Sequence, residues 1–357
     1  MPVSLVLIKI NPRCNTLIPE MIMPHRTVLQ FCFAITPKIT LLTSIAPLLL
    51  CLLAHGDEPT PMIAPRLVTQ APTTTNTKND TKKQLDRHAL PERLTCETNL
   101  PTPDSTVTFY AMGDVPYAPE ENFLLPKQIA NMPTDARFLM HVGDIKNGAT
   151  PCDEAVYIKV ASMLAKSKLP TFIIPGDNEW NDCENPAQGW KYWLKHFNNF
   201  DTKWKYDFVV HRQKVRNENF AFQLDGVLFI GINLVGGRVH DAVEWKTRHA
   251  QNITWIESIF KANHKKFHAV VLFGHALPMV NHNDFFTPLL PIVKTTNVPL
   301  LYLHGDGHKW IKDKPFGTDL ITRVQVDQGG IAPPVKVTVT HDPNKPFIFD
   351  RRLPKTP

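Results

Sequence analysis

The sequence lacks several features that would assign it to a broad class of protein. Its six cysteines include no C-x-x-C pair, so a cysteine zinc site is not favoured. It has no internal repeat, and the net charge of +6 comes from scattered Lys and Arg residues, which indicates a solvated surface and no specific nucleic-acid signal. The uncharged apolar run at residues 39–54 is short for a membrane span. A hydrophobic content of 43% is nevertheless ample for a folded core.

The N-terminal region has the pattern of a targeting segment. Arg26 and Lys38 precede the apolar run at residues 39–54, and small residues follow it. This order predicts a leader over residues 1–56 with a secretory signal peptide, and therefore a secreted or extracytoplasmic protein. The alternatives are an uncleaved segment that anchors the chain to a membrane through residues 39–54, or a buried helix.

The remainder of the chain divides by composition. Residues 57–104 are rich in Pro and Thr and have no apolar periodicity, which is typical of a flexible linker. We expect the folded domain over residues 105–342 and a C-terminal tail over residues 343–357. The N-x-T patterns at Asn79 and Asn252 predict a glycoprotein if the host glycosylates.

Three cysteines lie beyond the predicted leader, at Cys96, Cys152 and Cys183. In an oxidising compartment we expect one disulfide among them and one remaining thiol. We favour Cys152–Cys183, because each follows a predicted strand that ends in Gly-Asp. Their loops meet if those two strands are neighbours in a sheet.

Five segments end an apolar run abruptly at a Gly beside Asp, Asn or His. They read FYAMGDVPY, FLMHVGDIKNG, PTFIIPGDNEW, VVLFGHALP and LLYLHGDGHKW. Such runs are typical of buried strands that stop at a sheet edge, where ligands gather outside the carboxyl ends. The side chains that would emerge there are Asp114, Asp144, Asp177, Asn178, His275, Asp306 and His308. Carboxylates mixed with imidazoles suit a divalent metal ion.

The order of elements predicts an α/β domain with two packed mixed sheets. Strands are predicted at 106–112, 137–142, 170–174, 219–224, 227–232, 268–273, 298–303, 319–326 and 335–341, and helices at 121–131, 153–167 and 242–263. Asp225-Gly226 between two apolar runs signals a hairpin. The aromatic-rich segment at residues 186–206 is predicted to be an insertion lying over the site.

The joint order of these motifs resembles that of the calcineurin-like metallophosphoesterases, whose relatives include the purple acid phosphatases. Over residues 106–341, Asp, Gly-Asp, Gly-x-x-Glu, Gly-His and Gly-x-x-His follow one another, each after an apolar run. The resemblance implies a four-layer αββα sandwich of two mixed β-sheets flanked by helices. It also implies hydrolysis of a phosphomonoester or phosphodiester by metal-activated hydroxide.

The resemblance implies a metal site in which several ligands are substituted. One ion would be bound by Asp114, Asp144 and His308, and the other by Asp144, Asp177, His275 and Asp306. The family has a His two residues after the first Asp, whereas this chain has Pro116, and Tyr117 is the nearest possible substitute. The cofactor is predicted to be one or two divalent ions of Mn, Mg, Ca, Fe or Zn, and the oxygen-rich set favours the harder ions over zinc.

The resemblance also implies which residues meet the substrate. Asn178 stands where the family has the histidine that contacts phosphate, so Asn178 and Asp144 are the catalytic candidates. The predicted substrate-binding residues are Asn178, Tyr117, Arg248 and His240. Trp180, Trp190, Trp193 and Trp310 are candidates to line a substrate cleft, with packing in the core or a loop as the alternative and the favoured one for Trp193.

The leading functional hypothesis is a metal-dependent phosphoesterase that acts on a small phosphoester or a phosphorylated substrate. The alternative is a catalytically inactive protein that binds metal, phosphate or a nucleotide on the same fold, because imidazoles are missing at positions 116 and 178. A third hypothesis is a hydrolase that uses paired carboxylates without metal.

Overall fold

The computed structural model describes residues 105–353. The predicted leader and linker, the apolar run at residues 39–54 and the glycosylation pattern at Asn79 lie outside the described residues. Within residues 105–353, no helix is both long enough and apolar enough to span a membrane.

The described chain contains twelve strands arranged in two sheets. The strands are β1 (Val107–Met112), β2 (Leu139–His141), β3 (Thr171–Ile173), β4 (His211–Gln213), β5 (Arg216–Leu224), β6 (Val227–Gly231), β7 (Ala269–Phe273), β8 (Leu300–His304), β9 (Ile311–Asp313), β10 (Ile321–Gln325), β11 (Val335–Val339) and β12 (Phe347–Asp350). The first sheet has the order β12-β11-β1-β2-β3, and the second has the order β4-β5-β6-β7-β8-β10-β9.

Both sheets are mixed. In the first sheet β1, β2 and β3 are parallel, β11 pairs antiparallel with β1, and β12 pairs antiparallel with β11. In the second sheet β6, β7, β8 and β10 are parallel, and the hairpin partner β5 runs antiparallel to β6. The parallel strands give each sheet one edge at which several carboxyl ends meet, and ligand sites form at such edges.

Five α-helices cover the outer faces of the two sheets. They are α1 (Glu121–Ala130), α2 (Glu154–Leu164), α3 (Pro186–Phe197), α4 (Ala242–Ala262) and α5 (Asn283–Thr296). Side chains of α1, α2 and α3 form one apolar cluster with the first sheet, and those of α4 and α5 form another with the second sheet. The predicted four-layer αββα architecture is therefore confirmed.

Aromatic side chains fill the space between the two sheets. Along β1, Val107, Phe109 and Ala111 point into this central core, whereas Tyr110 belongs to the cluster under the helices. This is the alternation expected of a strand covered on both faces. The Phe109 ring stacks on Phe138 with 5.0 Å between ring centroids. The core thus fixes the spacing between the sheets, and with it the distance between their strand ends.

The predicted strands and helices are all present, with bounds that differ by a few residues. Asp225 and Gly226 have φ values of 45° and 74°, which fits the predicted hairpin turn between β5 and β6. The sequence prediction missed α5 and three short edge strands, β4, β9 and β12. Because β12 pairs with β11, the predicted tail at residues 343–357 is wrong in its first half, which belongs to the sheet.

The aromatic-rich segment at residues 186–206 was also only partly predicted. It forms α3 and a short 3-10 helix, and it packs against α2 and the first sheet. Trp193 is buried in that cluster, while Trp190 is half-buried. Most of the segment is therefore an outer layer of the fold and does not lie over the site.

Candidate metal centre

The strand ends place the predicted ligands in tight turns. Asp114, Asp144, Asp306 and His308 have φ values of 55°, 62°, 70° and 62°, which lie in the left-handed region. Each such residue costs about 1–2 kcal/mol of backbone energy unless it is Gly. Strained residues persist where surrounding contacts hold them, and they cluster at functional sites. Here the turns aim the side chains of both sheets at one another.

We call Asp144, Asp177 and His275 the open group. The Nδ1 atom of His275 donates a hydrogen bond to the Val142 carbonyl at 2.7 Å, which turns Nε2 toward the carboxylates. Nε2 lies 3.0 Å from Asp177 Oδ1 and 3.3 Å from Asp144 Oδ1. The side chains of His275, Asp144 and Asp177 are 0%, 2% and 7% exposed.

Two of the converging atoms in the open group have no partner within residues 105–353 except each other and Asp144. They are His275 Nε2 and Asp177 Oδ1, both fully buried. Buried polar atoms are almost always paired, so their isolation calls for an explanation such as an ion. Two atoms that each bind an ion at about 2.1 Å, at right angles to each other, are about 3.0 Å apart. The spacing and the unpaired atoms in the open group therefore fit a divalent cation.

Asp306 extends the open group. A Cβ added to Gly236 would lie 2.3 Å from Asp306 Oδ2 and 3.3 Å from Asp177 Oδ1. Only a glycine at this position lets the two carboxylates and the backbone pack so closely. The Asp306 carboxylate, predicted as a ligand, is thus next to Asp177.

We call Asp114, Asp144 and His308 the filled group, because the Tyr117 hydroxyl lies among them. This hydroxyl donates a short hydrogen bond to Asp144 Oδ2 and lies 3.3 Å from His308 Nε2 and 3.4 Å from Asp114 Oδ1. The Asn178 side-chain amide also donates to it, at 3.0 Å. The structure brings the six predicted metal ligands, Asn178 and Tyr117 into one site. Their roles in binding metal and substrate stay predictions.

The electrostatics of the site reflect several acidic groups buried together. Burial, followed by the Asp144 charge, raises the pKa of Asp177 to about 7. Burial also raises the pKa of Asp114 to about 8, with Asp144 adding to the shift. Burial acts to raise the pKa of Asp144 as well, but the His275 charge holds it below its ordinary value. A bound cation would remove the repulsion that these shifts express.

Glu179 holds the loops beneath the ligands, a role that the sequence prediction did not assign. Its carboxylate accepts backbone N–H bonds from Gly176 at 2.6 Å and Asp144 at 3.2 Å, with a longer contact to Ile145 at 3.4 Å. It is fully buried, and burial and the Asp144 charge raise its pKa to about 8. The signal in the sequence was the acidic residue that closes the Gly-Asp-Asn-Glu motif.

Lys146 is a second residue that the sequence prediction missed. The side chain is 3% exposed, and burial lowers its pKa although the charges of Glu179 and Asp144 oppose the shift. Its ammonium group donates to the Asn147 carbonyl at 3.2 Å. Lys146 therefore adds positive charge close to the carboxylates of the site.

His240 and Arg248, both predicted to bind substrate, have different environments. His240 lines a cavity of about 910 Å³ together with Trp180 and Trp190, which agrees with their predicted place in a cleft. Arg248 is fully buried on α4, where its guanidinium pairs with Glu244. The prediction for Arg248 is wrong, because a side chain without exposed surface cannot reach a substrate.

None of the residues that line the cavity is a proposed metal ligand, and a loop contact links the cavity to the metal centre. Asn181 donates a hydrogen bond to the Gly236 carbonyl at 3.3 Å, and Gly236 packs against Asp306 and Asp177. The same Asn181 side chain is 2.5 Å from His240 Nδ1. Asn181 thus connects the wall of the cavity to the loop that supports the open group.

The predicted disulfide Cys152–Cys183 is present, with a Cα–Cα distance of 5.8 Å. The two sulfur atoms lie 3.5 and 3.8 Å from the Asn178 carbonyl oxygen. The glycosylation predicted at Asn252 is wrong for the folded chain. Asn252 is fully buried, and its side chain bonds to Asn219 and to the Asn233 carbonyl.

The sequence matches no family model, and no curated protein is similar to it. Among solved structures, a dimetal phosphatase from Danio rerio is similar at 11% identity and a TM-score of 0.49, with 68% of this chain and 98% of that chain covered. GAP50, the anchor in the inner membrane complex of Plasmodium, has 12% identity and a TM-score of 0.45, with coverage of 68% and 83%. A 5'-nucleotidase from Candida albicans has 15% identity and a TM-score of 0.43, with coverage of 71% and 52%.

These similarities concern the fold alone. The two mixed sheets with their flanking helices agree with the architecture that the sequence predicted. At identities of 11–15% the neighbours carry no information on the activity of this chain. The functional conclusion therefore depends on the geometry of the metal centre.

Proposed function

We propose that this chain binds a divalent metal ion in the open group and hydrolyses a phosphoester there. The observation that supports the proposal best is the convergence of three buried ligand atoms, of which His275 Nε2 and Asp177 Oδ1 lack any other partner within residues 105–353. Carboxylate and imidazole ligands suit Mn²⁺, Mg²⁺ or Fe as well as zinc. When bound, such an ion lowers the pKa of a water molecule and offsets charge on the phosphoryl group.

The residues around the open group supply positioning and hydrogen bonds. The His275 Nδ1–H bond to the Val142 carbonyl fixes the ring so that Nε2 faces the site. The Asn178 side-chain amide donates to Asp144 and to Tyr117, so it would have to release one of these partners to hold a phosphate oxygen. The buried ammonium of Lys146 adds positive charge that favours a phosphoryl group nearby.

The cavity beside the metal centre is the proposed place for the rest of the substrate. Trp180, Trp190 and His240 line it, so it offers aromatic surface and an imidazole to a small organic group. We therefore propose a small phosphomonoester or phosphodiester, with its phosphate at the open group and its organic part directed to the cavity.

The test is hydrolysis of an aryl phosphate monoester and diester by the full chain, with added Mn²⁺ and with a chelator. We expect turnover that needs the metal and that Asp144→Asn abolishes while the domain remains folded by circular dichroism. Asp319→Asn is the matched control, because its side chain is 96% exposed, and it should leave turnover unchanged. Turnover that survives both chelation and Asp144→Asn would refute the proposal.

A second candidate function is metal and phosphate binding without turnover. It is favoured by Asn178, whose amide cannot protonate a leaving group, and by the Tyr117 hydroxyl within the filled group. Tight Mn²⁺ binding with no hydrolysis of either ester would support this candidate.

An extracytoplasmic location is also part of the proposal. A disulfide such as Cys152–Cys183 persists in oxidising compartments and is rare in the cytosol, which supports it. The check is alkylation of the native protein from its source before and after reduction. Free labelling of both cysteines before reduction would argue against this location.

A further inference from the structure

We propose that the Tyr117 hydroxyl takes the place of an ion in the filled group, so that the site binds a single ion, in the open group. This inference rests on the proposed function, since it assumes that the open group binds metal. It concerns how many ions the site accepts and which residue decides that number.

The hydrogen-bonding capacity of the Tyr117 hydroxyl is fully used within the filled group. A phenol has one donor and two acceptor positions. The hydroxyl donates to Asp144 Oδ2 and accepts from the Asn178 side-chain amide at 3.0 Å. His308 Nε2, at 3.3 Å, supplies the second donor. A neutral phenol therefore satisfies the polar atoms that would otherwise surround a cation.

The two oxygens of Asp144 show how the site is divided. Oδ2 faces the filled group, where it accepts from Tyr117 and from the Asn178 amide. Oδ1 faces the open group, 3.3 Å from His275 Nε2. The unpaired atoms His275 Nε2 and Asp177 Oδ1 both lie on the Oδ1 side. The buried atoms that a cation would pair therefore lie on one side of Asp144.

The two oxygens of Asp114 also face different sides of the site. Its Oδ1 accepts from the Asp306 backbone N–H at 2.9 Å and lies near Tyr117. Its Oδ2 has no partner among the described residues, but it lies beside Gly305, where a Cβ would be 2.6 Å from it and 3.2 Å from the His275 ring. This remaining unpaired oxygen is therefore on the side of His275 and not among the partners of the phenol.

The Tyr117 ring cannot leave the filled group without breaking several contacts. Its edge packs against His308 with 5.0 Å between centroids and 88° between planes. The Tyr117 backbone carbonyl accepts from the Asn147 amide at 2.6 Å, and its N–H donates to Glu121. An ion in the filled group would need to displace the hydroxyl or to take it as a ligand.

The test is the number of Mn²⁺ ions bound by the full chain, measured by elemental analysis and calorimetric titration. We expect about one ion per wild-type chain, with the electron paramagnetic resonance spectrum of an isolated ion. Tyr117→Phe keeps the ring and should retain about one ion, with affinity lowered by about 10- to 100-fold because the hydroxyl no longer bonds to Asp144. Tyr117→Ala opens the filled group and should admit a second, weaker ion, whose coupling to the first alters the spectrum.

The matched control is Tyr206→Ala, which removes a half-buried tyrosine hydrogen-bonded to Asp201 and should leave the number of ions unchanged. About two ions in the wild-type chain, or about one in a folded Tyr117→Ala chain, would overturn the inference and leave the proposed function standing. A folded Tyr117→Phe chain that binds no ion would also overturn it, because Tyr117 would then be a ligand. No bound ion in the wild-type chain would refute the proposed function itself.

Discussion

The two ligand groups use similar residues and share Asp144, yet their surroundings differ. In the filled group a tyrosine hydroxyl occupies the centre and pairs with its neighbours, while Asp114 Oδ2, on the side of His275, has no partner among the described residues. In the open group, His275 Nε2 and Asp177 Oδ1 lie 3.0 Å apart and have no partner outside this group among the described residues. The comparison teaches that a set of metal-type ligands does not by itself indicate an ion. What indicates one is whether the polar atoms already have partners.

Substitution of the two histidines should give the largest difference in Mn²⁺ affinity between the two groups. His275→Ala should lower Mn²⁺ affinity by at least about 100-fold, because it removes a ligand of the open group. His308→Ala should change the affinity by less than about threefold, because His308 bonds to Tyr117 and its side chain is 44% exposed. Calorimetric titration of both variants measures the difference. Equal losses would show that the two groups act as one site.

Removal of the disulfide tests whether the covalent bond near Asn178 stabilises the fold without affecting the open group. Replacing Cys152 and Cys183 together by Ser should lower the free energy of unfolding by about 3–4 kcal/mol, from the loop of 31 residues that the bond closes. Urea unfolding of the double variant measures this loss. Mn²⁺ affinity should remain close to that of the wild type, since no ligand of the open group is a cysteine. A parallel loss of the ion would mean that the open group depends on the same loop.

Glu179→Gln tests whether the carboxylate beneath the ligand loops supports the open group. Glutamine keeps an oxygen for the Gly176 and Asp144 N–H groups, which both meet Oε1, but it turns an amide NH₂ toward the Ile145 N–H in place of Oε2. We expect a loss of about 1–3 kcal/mol of stability. Because Asp144 and Gly176 move with this carboxylate, Mn²⁺ affinity should fall too. Glu120→Gln, on the exposed side of the chain before α1, is the control for thermal unfolding. An unchanged melting temperature in Glu179→Gln would remove its supporting role.

The pH dependence of metal stabilisation gives the smallest effect. In the metal-free protein the pKa values of Asp114, Asp177 and Glu179 are about 8, 7 and 8, above those of the unfolded chain. Their contribution to stability is therefore present at low pH and is lost as pH rises through 7 to 8. Bound Mn²⁺ compensates the charge, so the rise in melting temperature on adding Mn²⁺ should be larger at about pH 8.5 than at about pH 6, by roughly 3 °C per kcal/mol. A larger rise at the lower pH would contradict these shifts.

Several elements could be predicted because their sequence signals are local. Each strand that carries a ligand is an apolar run that stops at Gly followed by Asp or His, as in Gly143-Asp144 and Gly274-His275. The hairpin turn at Asp225-Gly226 needs positive φ at both residues, which these two tolerate. Local chemistry therefore sufficed for the strand ends and for the residues that meet there.

Other features depend on contacts between distant parts of the chain. Helix α5 was missed because Pro288 and Pro291 lie inside it, and each removes a helical hydrogen bond that packing by Phe285 and Leu289 offsets. Arg248 was predicted to bind phosphate, but it is buried against Trp180 and Trp245 and paired with Glu244. Nothing in the local sequence distinguishes an exposed arginine from one covered by residues far along the chain.

The position of the Tyr117 hydroxyl is a further case. Its place three residues after Asp114 made it a candidate, but the sequence could not show that the hydroxyl lies among Asp144, His308 and Asn178. Those three residues come from three separate loops. The filled group can be recognised only from the folded structure, where these three residues lie close together.

The central place of β1 in the first sheet has a consequence for the order of folding. β1 pairs with β2 on one side and with β11 on the other, where Val107 lies opposite Val339. One edge of β1, the first strand of the domain, is therefore covered only when β11, nearly the last strand, has formed. Pairings so distant in sequence make folding slow, and an edge left open in the meantime is prone to aggregation. During synthesis, this edge of β1 therefore stays unpaired until β11 has left the ribosome.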